Sequence, residues 1–296
     1  MIIGRGEKIF LWVIYIVVTI FSLTILYPFI NIIAISLNDG VDALRGGIYL
    51  WPRRFSLAAY EQVFSRRGLL NAAGMSIART MVGTIAGLAF TAVLAYLLSK
   101  RDLVFRRGII FLFVFTMYFS GGMIPDFILI RQLGLMNSFG VYIIPALLGV
   151  WNVMIMRQFF EELPQSLKDS ARVDGANELT VLLRIVLPIS KPVLATIALF
   201  IAVWQWNAWY DTFIYTSGAR LSTLQNELVR ILTEQQALVM AAPGGDMRDL
   251  AERAQRATPQ TIQMATIVIT TIPIVLIYPF LQKYFVKGIM VGAVKE

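Results

Sequence analysis

The sequence predicts an all-α membrane protein that crosses the bilayer six times, and two observations lead to that prediction. Of its 296 residues, 57% are hydrophobic and only 15% are charged, with a mean hydropathy of +0.70. Soluble domains contain about 25% charged residues. Six tracts of at least 18 residues contain no Asp, Glu, Lys or Arg: 9–38, 80–99, 108–125, 132–156, 192–210 and 257–282. A helix needs roughly 20 apolar residues to cross the hydrocarbon core, so each tract can supply one span.

The predicted spans follow these tracts in chain order. They are 9–37, 70–98, 108–130, 139–158, 191–216 and 258–285. The first is a retained helix, because its apolar run of 30 residues is far longer than the hydrophobic region of about 7–15 residues in a secretory signal. The third contains Gly121, Gly122 and Pro125, which predict a break toward its outer end.

Lysine placement predicts the orientation in the membrane. An even number of spans puts both termini on one side, and cytoplasmic termini place all seven lysines in the cytoplasm. This agrees with the enrichment of positive charge there, although many arginines then fall outside. The whole chain, 1–296, is then one transmembrane domain with a cytoplasmic segment at 159–190 and an external loop at 217–256.

Missing residue types exclude several chemistries. The chain contains no Cys and no His, which excludes disulfides, thiolate or imidazole metal sites and the usual catalytic triads. The dipeptide Gly-Lys does not occur, so no GxxxxGK[ST] phosphate-binding loop is present. Any ATP must therefore be bound by another chain. The net charge of +8 is typical of loops that set orientation in a membrane protein, and we expect no nucleic-acid partner.

The cytoplasmic segment begins with a predicted helix and a tight turn. Pro164 can open a helix, and the residues from Ser166 to Asp169 fit the capping-box pattern. Asp174 and Gly175 then supply a turn in which glycine adopts a positive φ.

A second short helix follows that turn. Its predicted apolar stripe has helical spacing and consists of Leu179, Leu182, Leu183 and Val186. Pro188 is expected to end this helix. Taken alone, these residues fit a helix pair lying on the membrane surface as well as they fit a docking element.

One spacing pattern in this segment resembles a known family. Asp169-Ser170-Ala171, three residues, Gly175, nine residues and then Ile185-Val186-Leu187-Pro188 resemble the EAA loop of ABC importer permeases, EAA–x3–G–x9–I–x–L–P. Asp for Glu and Ser for Ala are conservative differences. The flanks at 159–176 and 278–288 resemble the carbohydrate-importer branch, and 119–125 resembles an oligosaccharide subgroup that includes alginate and pectin-fragment importers.

The resemblance implies a fold, a location and a set of partners. The fold is that of a type I ABC importer permease in the bacterial cytoplasmic membrane, in contact with lipid. The partners are a second homologous permease subunit, two ATPase subunits that bind ATP and Mg, and an external sugar-binding protein. This chain would then be a non-catalytic subunit without a cofactor. Its cargo would be an oligosaccharide, with acidic oligosaccharides among the candidates.

The resemblance also implies residue roles in coupling. The residues expected to dock on an ATPase are Asp169, Ser170, Ala171, Arg172, Asp174, Gly175 and Ala176. A tail containing Lys287 and Gly288 is expected to reach between the ATPase subunits. The alternatives are that Asp169 serves only as a helix cap and that the tail is disordered.

The sugar path is sought in the fifth span. By helical spacing, one face carries Trp206, Asn207, Tyr210 and Phe213, while another carries Trp204, Asp211 and Tyr215. We expect the first face to meet the sugar, because aromatic rings suit the C–H faces of pyranoses and polar groups in a bilayer seek a cavity. The alternative is an interfacial aromatic belt.

Arg79 in the second span has three possible surroundings. It can extend to the outer surface, pair with Asp126 or Asp211, or face the path and bind a sugar carboxylate with its planar fork. Arg79 and Asp126 are therefore candidate path residues.

Two competing functions are a permease for a non-sugar solute and a polytopic membrane transferase. A transferase would need an acidic cluster near a membrane face. The adjacent acidic pair Glu161-Glu162 lies instead in the cytoplasmic segment.

Overall fold

The computed structural model describes residues 5–66, 68–241 and 257–293, and these are predominantly α-helical. The helices are α1 Arg5–Ser36, α2 Gly40–Ala43, α3 Ala58–Ser65, α4 Leu69–Ser99, α5 Arg106–Tyr118, α6 Met123–Gln132, α7 Gly140–Ile143, α8 Val150–Glu162, α9 Gln165–Val173, α10 Glu178–Val181, α11 Leu187–Ile189, α12 Lys191–Asn207, α13 Tyr210–Tyr215, α14 Leu224–Ala241 and α15 Pro259–Ala293. A π-helical turn, Leu182–Val186, joins α10 to α11. Within the described residues there is no β-sheet, so the all-α prediction is confirmed.

Three of the described helices are long and apolar enough to cross a membrane. They are Gly6–Ser36, Leu69–Ser99 and Pro259–Ile277. Two bent pairs also qualify if each pair forms one span: α5 with α6, bent by 117°, and Glu178–Ile189 with α12, bent by 87°. The count in the described ranges is three to five. Six spans and cytoplasmic termini therefore stay predictions.

Three predicted spans are interrupted. The third breaks where expected: α5 ends at Tyr118, Gly122 has φ +86°, and α6 begins at Met123. The fourth, 139–158, is not one continuous helix. Pro145 lies between α7 and α8, where its missing N–H cannot continue a helix, and Gly149 has extended backbone before α8. The fifth breaks between α12 and α13, which was not predicted.

The chain divides into two compact units, Met1–Leu69 with Leu228–Ile272 and Leu70–Glu227 with Pro273–Glu296. In the first unit, Ile48 packs against Ala34 and Ala43 beside α1. In the second unit, the largest core joins α4, α8, α10 and α12. Its fully buried members include Ala95, Val153, Phe160, Val181 and Ile197. Phe160 and Val181 belong to the segment 159–190, so this core joins that segment to α4 and α12.

Candidate coupling and transport sites

The predicted elbow is present in segment 159–190. Gly175 has φ +81°, a value that L side chains rarely adopt. Its N–H donates to the carbonyl of Arg172 at 3.0 Å, and the N–H of Ala176 donates to that of Ala171 at 2.9 Å. These two bonds form a Schellman motif, which closes the end of α9.

The predicted capping box is wrong. Helix α9 begins after Pro164 without a side-chain cap, so Ser166 lies inside the helix. Asp169 instead accepts hydrogen bonds from Gln165 Nε2 at 3.2 Å and Arg172 Nη1 at 3.1 Å, and it is not a helix cap. The cap in this segment is Asn177, whose side chain accepts from the N–H of Thr180 at 2.8 Å. An asparagine before an acidic first turn was the available sequence signal.

The predicted apolar stripe is only half buried. Leu182 and Val186 are buried, whereas Leu179 and Leu183 are 61% and 53% exposed. A π-helical turn also interrupts the stripe from Leu182 onward, because the N–H of Leu187 bonds to the carbonyl of Leu182, five residues back. The stripe therefore does not keep the α-helical spacing. The helix also continues one residue past Pro188, to Ile189.

Ion pairs connect the elbow to the end of α4. Glu178 lies 2.7 Å from Lys100 Nζ and 3.1 Å from Arg172 Nη2, and it accepts a hydrogen bond from Tyr96 Oη at 2.5 Å. Burial raises the pKa of Glu178, but the hydrogen bonds from Lys100 and Tyr96 outweigh it and lower that pKa to about 2. The carboxylate is therefore ionised at neutral pH, and its contribution to stability is full above the ordinary pKa of 4.5 and is lost as the pH falls from there through about 2.

Lys168 connects α9 to the end of α8. Its Nζ donates to the carbonyl of Phe160 at 2.9 Å, and the residue is buried. Burial lowers the pKa of Lys168 from its ordinary value. This hydrogen bond thus fixes one side of helix α9 to the end of α8. Its other side exposes Leu167 and Val173, the latter 87% exposed.

Arg79 is buried and paired. Its Nη1 and Nη2 donate to Oδ1 and Oδ2 of Asp211 at 3.0 and 2.5 Å. Its Nε donates to Gln205 Oε1 at 3.1 Å, and its guanidinium carbon lies 4.4 Å from the ring centroid of Tyr142. The structure therefore shows the ion pair. Arg79 does not extend to the surface, because its side chain is 1% exposed. Its role as a path residue stays a prediction.

The same arginine explains the unexpected break in the fifth predicted span. Arg79 Nη1 also donates to the carbonyl of Ala208 at 3.2 Å, directly after α12 ends. A cation at a helix C-terminus satisfies free carbonyls and complements the helix dipole. The bidentate pair with Asp211 makes burial of the charge tolerable. Arg79 thus holds the α12–α13 junction in place through its bonds to Ala208 and Asp211.

An open cavity of about 860 Å³ lies beside this junction in the second unit. Its polar and aromatic lining residues are Asp126, Tyr142, Trp151, Asn152, Phe200, Trp204, Asp211 and Tyr215. Among the described residues of this wall, two are acidic and none is basic. The wall therefore offers aromatic faces and hydrogen-bond acceptors, and no cation to pair with an anion.

Of the predicted path residues, the structure brings Asn207 and Tyr210 to one opening and places Asp126 and Trp206 elsewhere. Asp126 lines the 860 Å³ cavity. Asn207 and Tyr210 line a second opening of about 840 Å³, and the Asn207 amide donates to the carbonyl of Val203 in its own helix. Trp206 is 8% exposed and lines a small apolar pocket beside Thr80 and Pro273.

The predicted shared face is present only in part: Asn207 and Tyr210 line the same opening, whereas Trp206 lines the small pocket. Of the other predicted face, Trp204, Asp211 and Tyr215 line the 860 Å³ cavity, and Trp204 and Asp211 also line the second opening. Tyr142, Trp151 and Asn152 were missed, and no local sequence signal singles them out.

Two glycines allow α4 to approach α12. A Cβ on Gly83 would lie 2.4 Å from Gln205 Nε2, whereas one on Gly87 would lie 3.4 Å from Ile201 Cγ2, an ordinary contact. Gln205 cannot move freely, because its Nε2 also donates to the carbonyl of Tyr142 at 3.1 Å.

We therefore expect Gly83→Ala to destabilise the protein by about 1–3 kcal/mol, the usual cost of overpacking. Gly87→Ala is the matched control and should be nearly neutral. Thermal unfolding in detergent measures both, and equal unfolding midpoints for the two variants would contradict the close packing at Gly83.

Comparison with known proteins identifies the family. Residues 2–291 match the sequence model of the family described as "Binding-protein-dependent transport system inner membrane component". The chain belongs to this family. It is therefore a multi-pass inner-membrane subunit of a transport system and not an enzyme.

Full-length relatives and a solved structure agree with this assignment. The chain is 38% identical over 289 residues to the polygalacturonan/rhamnogalacturonan transport system permease protein YtcP of Bacillus subtilis, covering 98% of this chain and 99% of that protein. It is 41% identical over 278 residues to protein LplC of the same organism, covering 93% and 90%. A crystal structure of a bacterial ABC transporter involved in the import of the acidic polysaccharide alginate superposes with a TM-score of 0.84 at 31% identity, covering 95% of this chain and 98% of that one.

Proposed function

We propose that this chain is a permease subunit of an ATP-driven importer of oligosaccharides and forms half of the translocation path. The observation that carries the proposal is the full-length similarity to YtcP, together with the fold of the alginate transporter. Both names refer to acidic polysaccharides, so fragments of acidic polysaccharides are the proposed cargo class.

The 860 Å³ cavity supports a sugar as cargo. Trp151 and Trp204 are 62% and 55% exposed in its wall, where their rings can stack on the C–H faces of a pyranose. Asn152 and Asp126 can hydrogen-bond sugar hydroxyls. Because no described residue of this wall is basic, we propose that this chain contacts the neutral parts of the cargo. Any uronate carboxylate would then be neutralised by the partner permease.

Replacing Trp204 by alanine tests the cavity. We expect the KM for oligosaccharide uptake to rise about three- to tenfold, because one aromatic contact contributes about 0.5–1.5 kcal/mol. Trp12→Ala, which removes an exposed tryptophan on α1, is the control and should transport normally. An unchanged KM in Trp204→Ala would contradict the assignment of the sugar path to this cavity.

We further propose that segment 159–190 transmits ATP-driven movement from a separate ATPase. Its elbow is fixed at Gly175 and its attachment to α4 at Glu178. Its exposed apolar side chains are available to a partner: Leu167, Val173, Leu179 and Leu183. The docking residues would be Asp169, Ser170, Ala171, Arg172, Asp174, Gly175 and Ala176. This agrees with the family description, since a binding-protein-dependent system includes subunits outside the membrane component.

The remaining parts of the proposal concern partners and topology. They are a second homologous permease, two ATPase subunits that hold ATP and Mg, an external sugar-binding protein, six spans and cytoplasmic termini. Lys287 and Gly288 lie on helix α15, in a part of it where the structure describes the helix but not the surroundings of its residues. Their contact with the ATPase stays a prediction.

A further inference from the structure

The loop after α1 folds back along the last turns of that helix. Asn31 Nδ2 donates to the carbonyls of Ile48 and Tyr49 at 2.7 and 2.9 Å. Ile48 is 7% exposed and packs beside Ala34. The backbone at 48–49 is therefore fixed at the level of Asn31, about 7.5 Å before the end of α1 at Ser36.

The loop is also held from its far side. Arg53 Nε and Asn38 Nδ2 each donate to Asp42 Oδ2 at 3.1 Å, and Arg53 Nη2 donates to the carbonyl of Gly46 at 2.6 Å. The hydrogen bond from Asn38 and the charge of Arg53 outweigh burial and lower the pKa of Asp42. The contacts to the Asp42 carboxylate are therefore fully formed at neutral pH, and they weaken as the pH falls through the lowered pKa. The loop between Asn38 and Arg53 therefore has a fixed conformation.

Its outer side is apolar and aromatic. Tyr49, Leu50 and Trp51 are 65%, 58% and 82% exposed. We call these three residues the aromatic hook. Arg45 and Arg54, four positions before the hook and three after it in the chain, are exposed. Three consecutive exposed apolar side chains would be unfavourable in water, which indicates that something covers them.

The hook lies at the level where α1 leaves the hydrocarbon core. Lys8 is the last charge before the apolar run. From Ile9 to Asn31 the helix rises about 33 Å at 1.5 Å per residue, which matches a core about 30 Å thick. Tryptophan and tyrosine are enriched at this boundary, because their rings are apolar and their N–H or O–H groups stay hydrated.

We propose that the aromatic hook inserts into the interfacial layer of the lipid bilayer and fixes the depth of α1. Two observations favour lipid over a protein partner. The backbone of the hook is bonded to α1 at the level where that helix leaves the hydrocarbon core. Arg45 and Arg54 are complementary to lipid phosphates. The inference rests only on membrane insertion of the chain, and it holds whatever the cargo is.

Site-directed fluorescence quenching tests this proposal in the full chain. Because the chain contains no cysteine, Trp51→Cys or Leu50→Cys carries a single fluorophore at a known place. Glu61→Cys, on the exposed side of α3, is the matched control. The labelled chains are placed in phosphatidylglycerol–phosphatidylcholine bilayers and quenched by lipids with a shallow nitroxide or by aqueous acrylamide.

We expect the shallow nitroxide to quench the labels at positions 50 and 51 at least threefold more than the label at position 61. Acrylamide should show the reverse order. Acrylamide quenching at position 51 equal to that at 61 would place the hook in water. Protection of position 51 from both quenchers would place it against a protein. Either result would overturn the proposal.

Discussion

Replacing Arg79 by glutamine is expected to abolish transport of charged and neutral oligosaccharides alike. The substitution leaves Asp211 without its bidentate partner and the carbonyl of Ala208 without its donor. Breaking a buried ion pair from one side costs about 3–5 kcal/mol. We expect the α12–α13 junction to lose its geometry, and with it the wall of the cavity that contains Asp211. Uptake of a uronate oligosaccharide and a neutral one of equal length measures this.

The double variant Arg79→Gln with Asp211→Asn provides the control. It removes both charges, so it should recover part of the stability and transport lost in either single variant, with a coupling energy in the range of about 0.5–3 kcal/mol. Selective loss of the charged cargo in Arg79→Gln, with normal transport of the neutral one, would contradict the structural role. It would restore Arg79 as a binding group for sugar carboxylates.

Replacing Gly175 by valine is expected to reduce uptake and sugar-stimulated ATP hydrolysis more than tenfold while the chain still inserts in the membrane. No atom lies within 4 Å of a Cβ built at this position, so the effect comes from the backbone. A β-branched residue at φ +81° is strained, and loss of the Schellman bonds would release the elbow between α9 and α10.

Two matched variants separate strain at the elbow from strain in general. Gly175→Asn should retain most activity, because asparagine tolerates positive φ. Gly218→Val introduces similar strain at φ +99°, also in open space, in the predicted external loop. It should therefore leave ATPase coupling intact. Equal loss of ATPase stimulation in Gly175→Val and Gly218→Val would contradict a specific coupling role for the elbow.

Local sequence signals predicted the backbone features that depend on single residues. Gly175 required a positive φ, and the pair Gly121-Gly122 required a break, because glycine is the residue that adopts these conformations without strain. The break after Asn207 has no glycine or proline beside it. It depends on Arg79, which is 129 positions away from Ala208 in the chain, and no local pattern contains that information.

Side-chain surroundings were predicted less well for the same reason. Trp204 and Trp206 are two positions apart in one apolar helix, and only the packing of that helix places Trp204 at the cavity and Trp206 in a small pocket. Leu179 and Leu183, which a regular stripe would bury, are exposed, and a π-helical turn interrupts that stripe from Leu182 onward. Asp126 and Asp211 were both candidate partners of Arg79 from chemistry alone, since a buried arginine requires a counter-charge, and only the folded chain selects Asp211.

ATP-dependent uptake by a complex purified through this chain tests the central claim most directly. The tagged chain is isolated with its bound partners and reconstituted in vesicles, and accumulation of labelled oligogalacturonides is measured with ATP or a non-hydrolysable analogue on the ATPase side. The account predicts that an ATPase copurifies and that accumulation requires ATP hydrolysis and an external binding protein. Transport by the isolated chain without ATP, or purification of an active chain without any ATPase, would contradict it.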